Sequence, residues 1–203
     1  CGIADVLLEG PEGVRIVPAA SGFEDLTHLD AAQRLHLLDE IDRLEDTFDV
    51  LLIDNAAGIS PNVLFFTVAA QDTLVVTTPE PTSLTDAYAL IKVLSKRYAE
   101  TEFSVLVNMA RNETEARRAF QHLSRVAERF LSVSLRYEGQ VPFDHELPEA
   151  VRRQSTVLDL APSAPASRAF DFLAERLVSA PTPLRAKGGL QFFFRRLLEE
   201  DRR

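Results

Sequence analysis

Five short runs of apolar, β-favouring residues, separated by helical stretches, constrain this chain more than any other feature. The runs are Val14–Val17, Asp49–Ile53, Thr73–Thr77, Phe103–Val107 and a weaker Leu135–Val141. Their Val and Leu content is nearly continuous rather than alternating. Strands covered on both faces read this way. The helical stretches are His28–Asp46, Pro61–Ala70, Ser83–Ala99, Glu113–Leu131 and Ala166–Val178. The first carries Leu29, Leu35, Leu37, Leu38, Ile41 and Leu44 among charged residues. Strand and helix in alternation imply right-handed crossovers. The expected fold class is α/β, a mostly parallel twisted sheet with helices on both faces.

The 203 residues are 46% hydrophobic, enough for a real core. A net charge of -9 argues against an extended nucleic-acid footprint. Cys1 is the single cysteine, so no disulfide forms within the chain. The four histidines, His28, His36, His122 and His145, lack metal-ligand spacing. No apolar run reaches the ~20 residues needed to span a bilayer, and no signal peptide is visible. The chain starts with Cys1 rather than Met, which reads as a fragment, a processed product or a trimmed chain.

One motif carries chemistry. In Val50–Gly58, VLLIDNAAG, an apolar run ends in Asp54 and is followed by Gly58. This is a Walker B and switch II pattern. A parallel strand delivers a carboxylate to its C-terminal edge, where ligands bind. Such a carboxylate holds Mg²⁺ through water, because Mg²⁺ dehydrates reluctantly. A glycine lets the backbone come close to a terminal phosphate. Alone, the pattern is short and serves equally as an ordinary strand end.

Further blocks follow in order: FDVLLIDNAAGIS, TTPEPTSLTDAYALIKVL, VLVNMA, GQVPFDHELPEAVRRQ and APASRAF, with GPEGVRIVPAASG (Gly10–Gly22) ahead of them. Together they resemble the MinD/ParA family of deviant-Walker P-loop ATPases, and within it the flagellar-number branch (FlhG, FleN or YlxH). Thr78–Tyr88 is the most branch-specific block. The resemblance runs through nearly the whole chain. It implies a MinD-like fold whose first strand and phosphate loop are missing here. The family pattern GKGGxGK[ST] does not occur in this sequence. Lys187-Gly188-Gly189 lacks the following Lys-Ser/Thr and follows no strand, so it is rejected as that loop. The chain by itself is therefore expected to bind Mg-ATP poorly and to be inactive alone.

The resemblance also implies roles. Asp54 is the Walker B carboxylate supporting Mg²⁺, and Gly58 the switch II glycine near the γ-phosphate. Asn55 departs from the Thr or Ser of relatives. Asn108 meets the adenine edge, a task an amide suits because it offers a donor and an acceptor side by side. Pro142, Phe143 and Asp144 form the loop that packs on base and ribose. Asn108 as a strand-end turn residue, and Pro142 and Asp144 as an ordinary turn, are the plainer alternatives. Asp86, Tyr88 and Lys92 fall in the region partners read in relatives; a solvated helix face is the plainer reading there.

The tail differs in character. Residues 180–189 read as a Pro- and Gly-containing linker after an ATPase domain over 1–179. In 190–203, Leu190, Phe193, Phe194, Leu197 and Leu198 form one apolar stripe flanked by Arg195 and Arg196. A short basic amphipathic helix on a tether predicts reversible binding to a membrane surface. Docking of the same stripe on its own domain is the alternative. The function implied is an ATP-dependent, dimerising, membrane-associated ATPase that sets flagellar number or placement. It would be cytoplasmic and peripheral on the inner face of the cytoplasmic membrane. Implied partners are a signal-recognition-type (FlhF-like) GTPase, flagellar switch proteins and, in some lineages, a transcription activator. A division-site MinD role, a non-catalytic truncated platform and a DNA-partitioning role are the alternatives; the acidic balance disfavours the last.

Overall fold

A computed structural model describes residues 2–18, 30–44 and 47–179. The expected linker and C-terminal helix lie outside the described residues, as do the ends of the helix expected over His28–Asp46. The chain divides into two compact units, one ending at Gln71 and the other beginning at Asp72.

The first unit opens with a small hairpin, β1 (Leu8–Glu9) and β2 (Arg15–Ile16), paired antiparallel with Leu8 opposite Ile16. Glu12 and Gly13 turn the chain in the left-handed region, at φ 53° and 79°. This corrects the expected buried strand over Val14–Val17. The reversal makes the pairing local and antiparallel, and Val14, Ile16 and Val17 are exposed. Helix α1 (Ala31–Asp42) starts at Asp30, whose carboxylate accepts from the Gln33 N–H while the Gln33 side chain accepts from the Asp30 N–H, a reciprocal capping box. Helix α2 (Pro61–Ala69) starts at Ser60, with Pro61 in the first turn where its missing N–H costs nothing. Leu38 and Ala69 are the buried centre, with Ile41, Leu51, Ile53, Phe65 and Phe66 packed around them.

The run Asp49–Ile53 is a second correction. Leu51 and Ile53 are half-buried in that cluster, whereas Val50 is exposed and Leu52 is 82% exposed. The alternation belongs to a strand, but the segment pairs with no strand among the described residues. Only one of its faces is packed here, so it is not the doubly covered strand the sequence implies.

The second unit holds the expected parallel sheet. Strands β3 (Leu74–Thr77), β4 (Glu102–Ala110) and β5 (Ser134–Pro142) lie in that order, all parallel. Helix α3 (Pro81–Tyr98) connects β3 to β4, and α4 (Glu113–Leu131) connects β4 to β5. Two short helices follow, α5 (Glu146–Arg152) and α6 (Val157–Leu160), then α7 (Pro165–Ser179). The strand side chains alternate in direction. Val107 packs with Ala116, Ala119 and Phe120 of α4 and Leu84 of α3. Leu106 and Val141 pack on Ala166, Phe170 and Leu173 of α7. Helices thus cover both faces of the sheet, as the continuous apolar runs require. The caps match their positions: Asn112 accepts from the Glu115 N–H to start α4, while Ala99 and Ser132 end α3 and α4 in the left-handed conformation.

Two register shifts interrupt the β4–β5 ladder. Leu106 pairs with Gly139 where Val105 pairs with Tyr137, so Glu138 is the extra residue of one bulge. Ala110 pairs with Pro142 where Asn108 pairs with Val141, so Met109 is the extra residue of the other.

Candidate functional site

In open parallel α/β sheets ligands collect at the carboxyl ends of the strands. Here that edge carries the ends of β3, β4 and β5. After β3, the Ser83 hydroxyl accepts from the Thr78 N–H at 2.9 Å and lies 3.0 Å from the Thr77 hydroxyl. These bonds fold Pro79-Glu80-Pro81 into a tight entry to α3. The branch-specific block is therefore partly a turn lock. Further along α3, Asp86 and Lys92 are exposed, Tyr88 is half-buried, and Ala87, Ile91 and Leu94 are buried.

At the end of β4, the Asn108 Oδ1 accepts from the Met109 N–H at 2.9 Å. This holds the amide plane and leaves both amide hydrogens and one lone pair of the oxygen uncommitted by that bond. Met109 sits at φ 58°, in the left-handed region, and is 52% exposed. At the end of β5, Pro142 leads into Phe143, whose N–H donates to the Ala110 carbonyl at 2.9 Å. The Phe143 side chain is 51% exposed and meets the His145 ring edge-on at 5.0 Å.

Asp144 clasps this loop. One carboxylate oxygen accepts from the Glu146 N–H at 3.0 Å and the other from the Ala166 N–H at 2.9 Å. It thereby serves the first turns of α5 and α7 together. The two backbone hydrogen bonds, Glu146 first and Ala166 second, hold its carboxyl below the usual carboxylate range. Phe143, Asp144, His145 and Glu146, together with Ala161–Pro165, line an open cleft of about 550 Å³.

The structure thus brings Asn108, Pro142, Phe143 and Asp144 to neighbouring strand ends of one unit. Asp54 and Gly58 belong to the other unit. Asp54 is exposed, beyond the unpaired run Val50–Ile53. Gly58 has φ 107° with open space beside its Cα, a conformation that favours glycine and leaves room for close approach. The ends of the adjoining strands β4 and β5 thus carry an oriented amide, Asn108, and two exposed apolar side chains, Met109 and Phe143. Sequence reasoning missed Met109. Nothing in VLVNMA announces a bulge, because Asn-Met carries no glycine or proline signal.

No family model matches the chain. The structure resembles the MinD cell division protein of Aquifex aeolicus, with TM-score 0.65 and 23% identity over 92% of this chain and 73% of that one. It also resembles the cell division ATPase MinD of Pyrococcus furiosus, with TM-score 0.64 and 20% identity over 88% and 71%. The fold is that of the MinD/ParA P-loop ATPases. In sequence, the chain is 45% identical to the antiactivator FleN of Pseudomonas aeruginosa over 98% of its own length and 71% of FleN. It is 30% identical to the flagellum site-determining protein YlxH of Helicobacter pylori over 97% of its length and 68% of YlxH. The chain belongs to the MinD/ParA ATPase family, in the branch of FleN and YlxH.

Proposed function

We propose that this protein is an ATP-dependent, dimerising, membrane-associated switch ATPase that controls the number or placement of flagella. The observation that carries the proposal is the 45% identity to FleN along 98% of the chain. The 30% identity to YlxH supports the flagellar direction over a division-site role.

In this reading residues 1–179 form the ATPase domain, 180–189 the linker and 190–203 the membrane-targeting helix. Asp54 holds Mg²⁺ through water, and Gly58 lets the switch backbone approach the terminal phosphate. Asn108 reads the adenine edge, while Pro142, Phe143 and Asp144 carry the loop against base and ribose. Bound ATP supplies the phosphoryl bond that water cleaves, a reaction driven mainly by positioning and charge stabilisation. The cationic share of that stabilisation needs the lysine loop implied by the family, which this stretch of sequence does not hold. The proposed partners are a second copy of the protein, an FlhF-like GTPase and flagellar switch proteins. The proposed location is the inner face of the cytoplasmic membrane. Among the described residues no helix is long and apolar enough to cross a membrane.

A chimera tests the function. This chain replaces the corresponding stretch of FleN in Pseudomonas aeruginosa, and flagella are counted by electron microscopy. The chimera is expected to keep the wild-type number. A count equal to that of cells without FleN sinks the flagellar reading.

A deletion tests the membrane part. Removing 190–203, which hold Leu190, Phe193, Phe194, Arg195, Arg196, Leu197 and Leu198, is expected to abolish co-sedimentation with anionic vesicles. The circular-dichroism melting curve of the rest is expected to stay unchanged. One such helix binds weakly and two in a dimer bind far better, so loss is expected to be complete at micromolar protein. Equal sedimentation with and without the segment refutes it.

A further inference from the structure

We propose that Met109 is a base-binding residue, its thioether lying on the face of the purine whose edge Asn108 reads. The inference rests on the nucleotide reading of this strand edge and adds a residue to it.

Three observations point to it. Met109 is the extra residue of the bulge between Asn108 and Ala110, so it takes no pairing position in the ladder, one residue before its last pair, Ala110 with Pro142. Its backbone is left-handed at φ 58°, which is uncommon for an unbranched, non-glycine residue outside turns and helix caps. A conformation of this kind persists where the surroundings impose it, and such positions cluster at ligand sites. Here the kink does two things at once. It directs the Met109 N–H onto the Asn108 Oδ1 at 2.9 Å, which orients the amide, and it leaves the Met109 side chain 52% exposed. An apolar side chain sent out of a sheet by a strained residue gains nothing from water.

The neighbouring strand end supplies the counterpart. The Phe143 N–H is bonded to the carbonyl of Ala110, the residue after Met109, and the Phe143 ring is 51% exposed. The two apolar side chains therefore leave adjoining strands on the same edge of the sheet. Methionine suits the position. Its thioether is polarizable and flexible, and it contacts aromatic rings favourably. A purine offers a larger face than a pyrimidine, so adenosine is expected to be preferred to cytidine.

The chain contains one methionine, which makes the test direct. The 203-residue chain is labelled with ¹³C at the methionine methyl and ¹⁵N throughout. Adenosine, which needs no phosphate grip, is titrated to the millimolar range with cytidine as control. The Met109 methyl signal is expected to move upfield through the ring current and to saturate with the amide signals of Asn108, Ala110 and Phe143. Met109→Leu is expected to keep the adenosine affinity within about twofold, and Met109→Ala to weaken it about fivefold.

Met109→Gly separates binding from a purely structural role. Glycine relieves the left-handed backbone, so it keeps the fold, yet it is expected to lose affinity as the Ala variant does. If the amides respond to adenosine and the methyl does not, the Met109 contact is wrong while the base site stands. Full affinity in Met109→Gly overturns it equally. If nothing responds to adenosine, the base reading of this edge fails and the Met109 contact with it.

Discussion

Replacing Glu138 by alanine is expected to cost about 3 kcal/mol of folding stability at neutral pH, the lower end for removing one partner of a buried charged network. Glu138 is 3% exposed, yet it lies in a strand beneath α7. Its carboxylate accepts from the Ser104 hydroxyl at 3.0 Å, from Arg136, and from the Arg176 Nε at 3.1 Å. Arg136 also donates to the Ser104 hydroxyl at 2.8 Å, closing the network. The two arginine side chains are 57% and 41% exposed, so water takes up their charges once the carboxylate is gone. The loss is thus expected nearer 3 than 5 kcal/mol.

The pH dependence of this effect has a definite sign. Burial alone pushes the Glu138 carboxyl up, but the hydrogen bonds from Arg136 and Ser104 and the charges of Arg136 and Arg176 outweigh it and hold the carboxyl below its ordinary value. A depressed carboxylate contributes stability that is complete above its unfolded value of ~4.3 and is lost as pH falls through the folded one. The gap between wild type and Glu138→Ala is therefore expected to be full at pH 7 and to narrow below about pH 4. Urea midpoints at pH 7 and pH 3 read it. A gap that is the same at both pH values means that packing, not charge, made the difference.

Ile91→Ala is expected to cost about 3 kcal/mol as well, through a cavity rather than a charge. Ala87, Ile91 and Leu94 recur at helical spacing on the buried side of α3, and Ile91 and Leu94 have no exposed surface. Truncating Ile91 removes methyl and methylene groups from a side chain with no exposed surface, so water does not fill the space they leave. The next residue, Lys92, is exposed on the same helix, and Lys92→Ala is expected to change stability by less than about 0.5 kcal/mol. Thermal unfolding of the two variants side by side decides it. Equal melting temperatures would mean that α3 does not bury the face it presents in this structure.

The contrast between these neighbours shows what could be read in advance. Helix α4 runs over Glu113–Leu131, the bounds its spacing predicts, because nineteen residues carry the 3.6-residue period several times over. The apolar runs mark β3 and the centre of β4, whereas β5 is a weaker signal because Arg136, Glu138 and Gln140 interrupt it. Helices α5 and α6, with seven and four residues, are too short for a period to emerge. The runs Val14–Val17 and Asp49–Ile53 have the composition of core strands. Composition does not report a partner, and the described structure gives the first a local hairpin and the second none.

The candidate site divides along the same line. Sequence by itself determined the family, through the ordered blocks from Gly10 to Phe170; the roles proposed for Asp54, Gly58, Asn108, Pro142, Phe143 and Asp144 are what that membership implies. It determined the α/β class too, because side-chain periodicity is local and survives in one dimension. Tertiary structure alone decided that Asp144 clasps two helix starts, that Glu138 can be charged and buried, and that Met109 leaves the ladder beside Asn108. Each depends on groups far apart in the chain meeting across β4, β5 and α7. Ala166 lies 22 residues from Asp144 and Arg176 lies 38 from Glu138, so no local pattern carries the information. A bulge is likewise a property of two strands in register, and neither strand shows it alone.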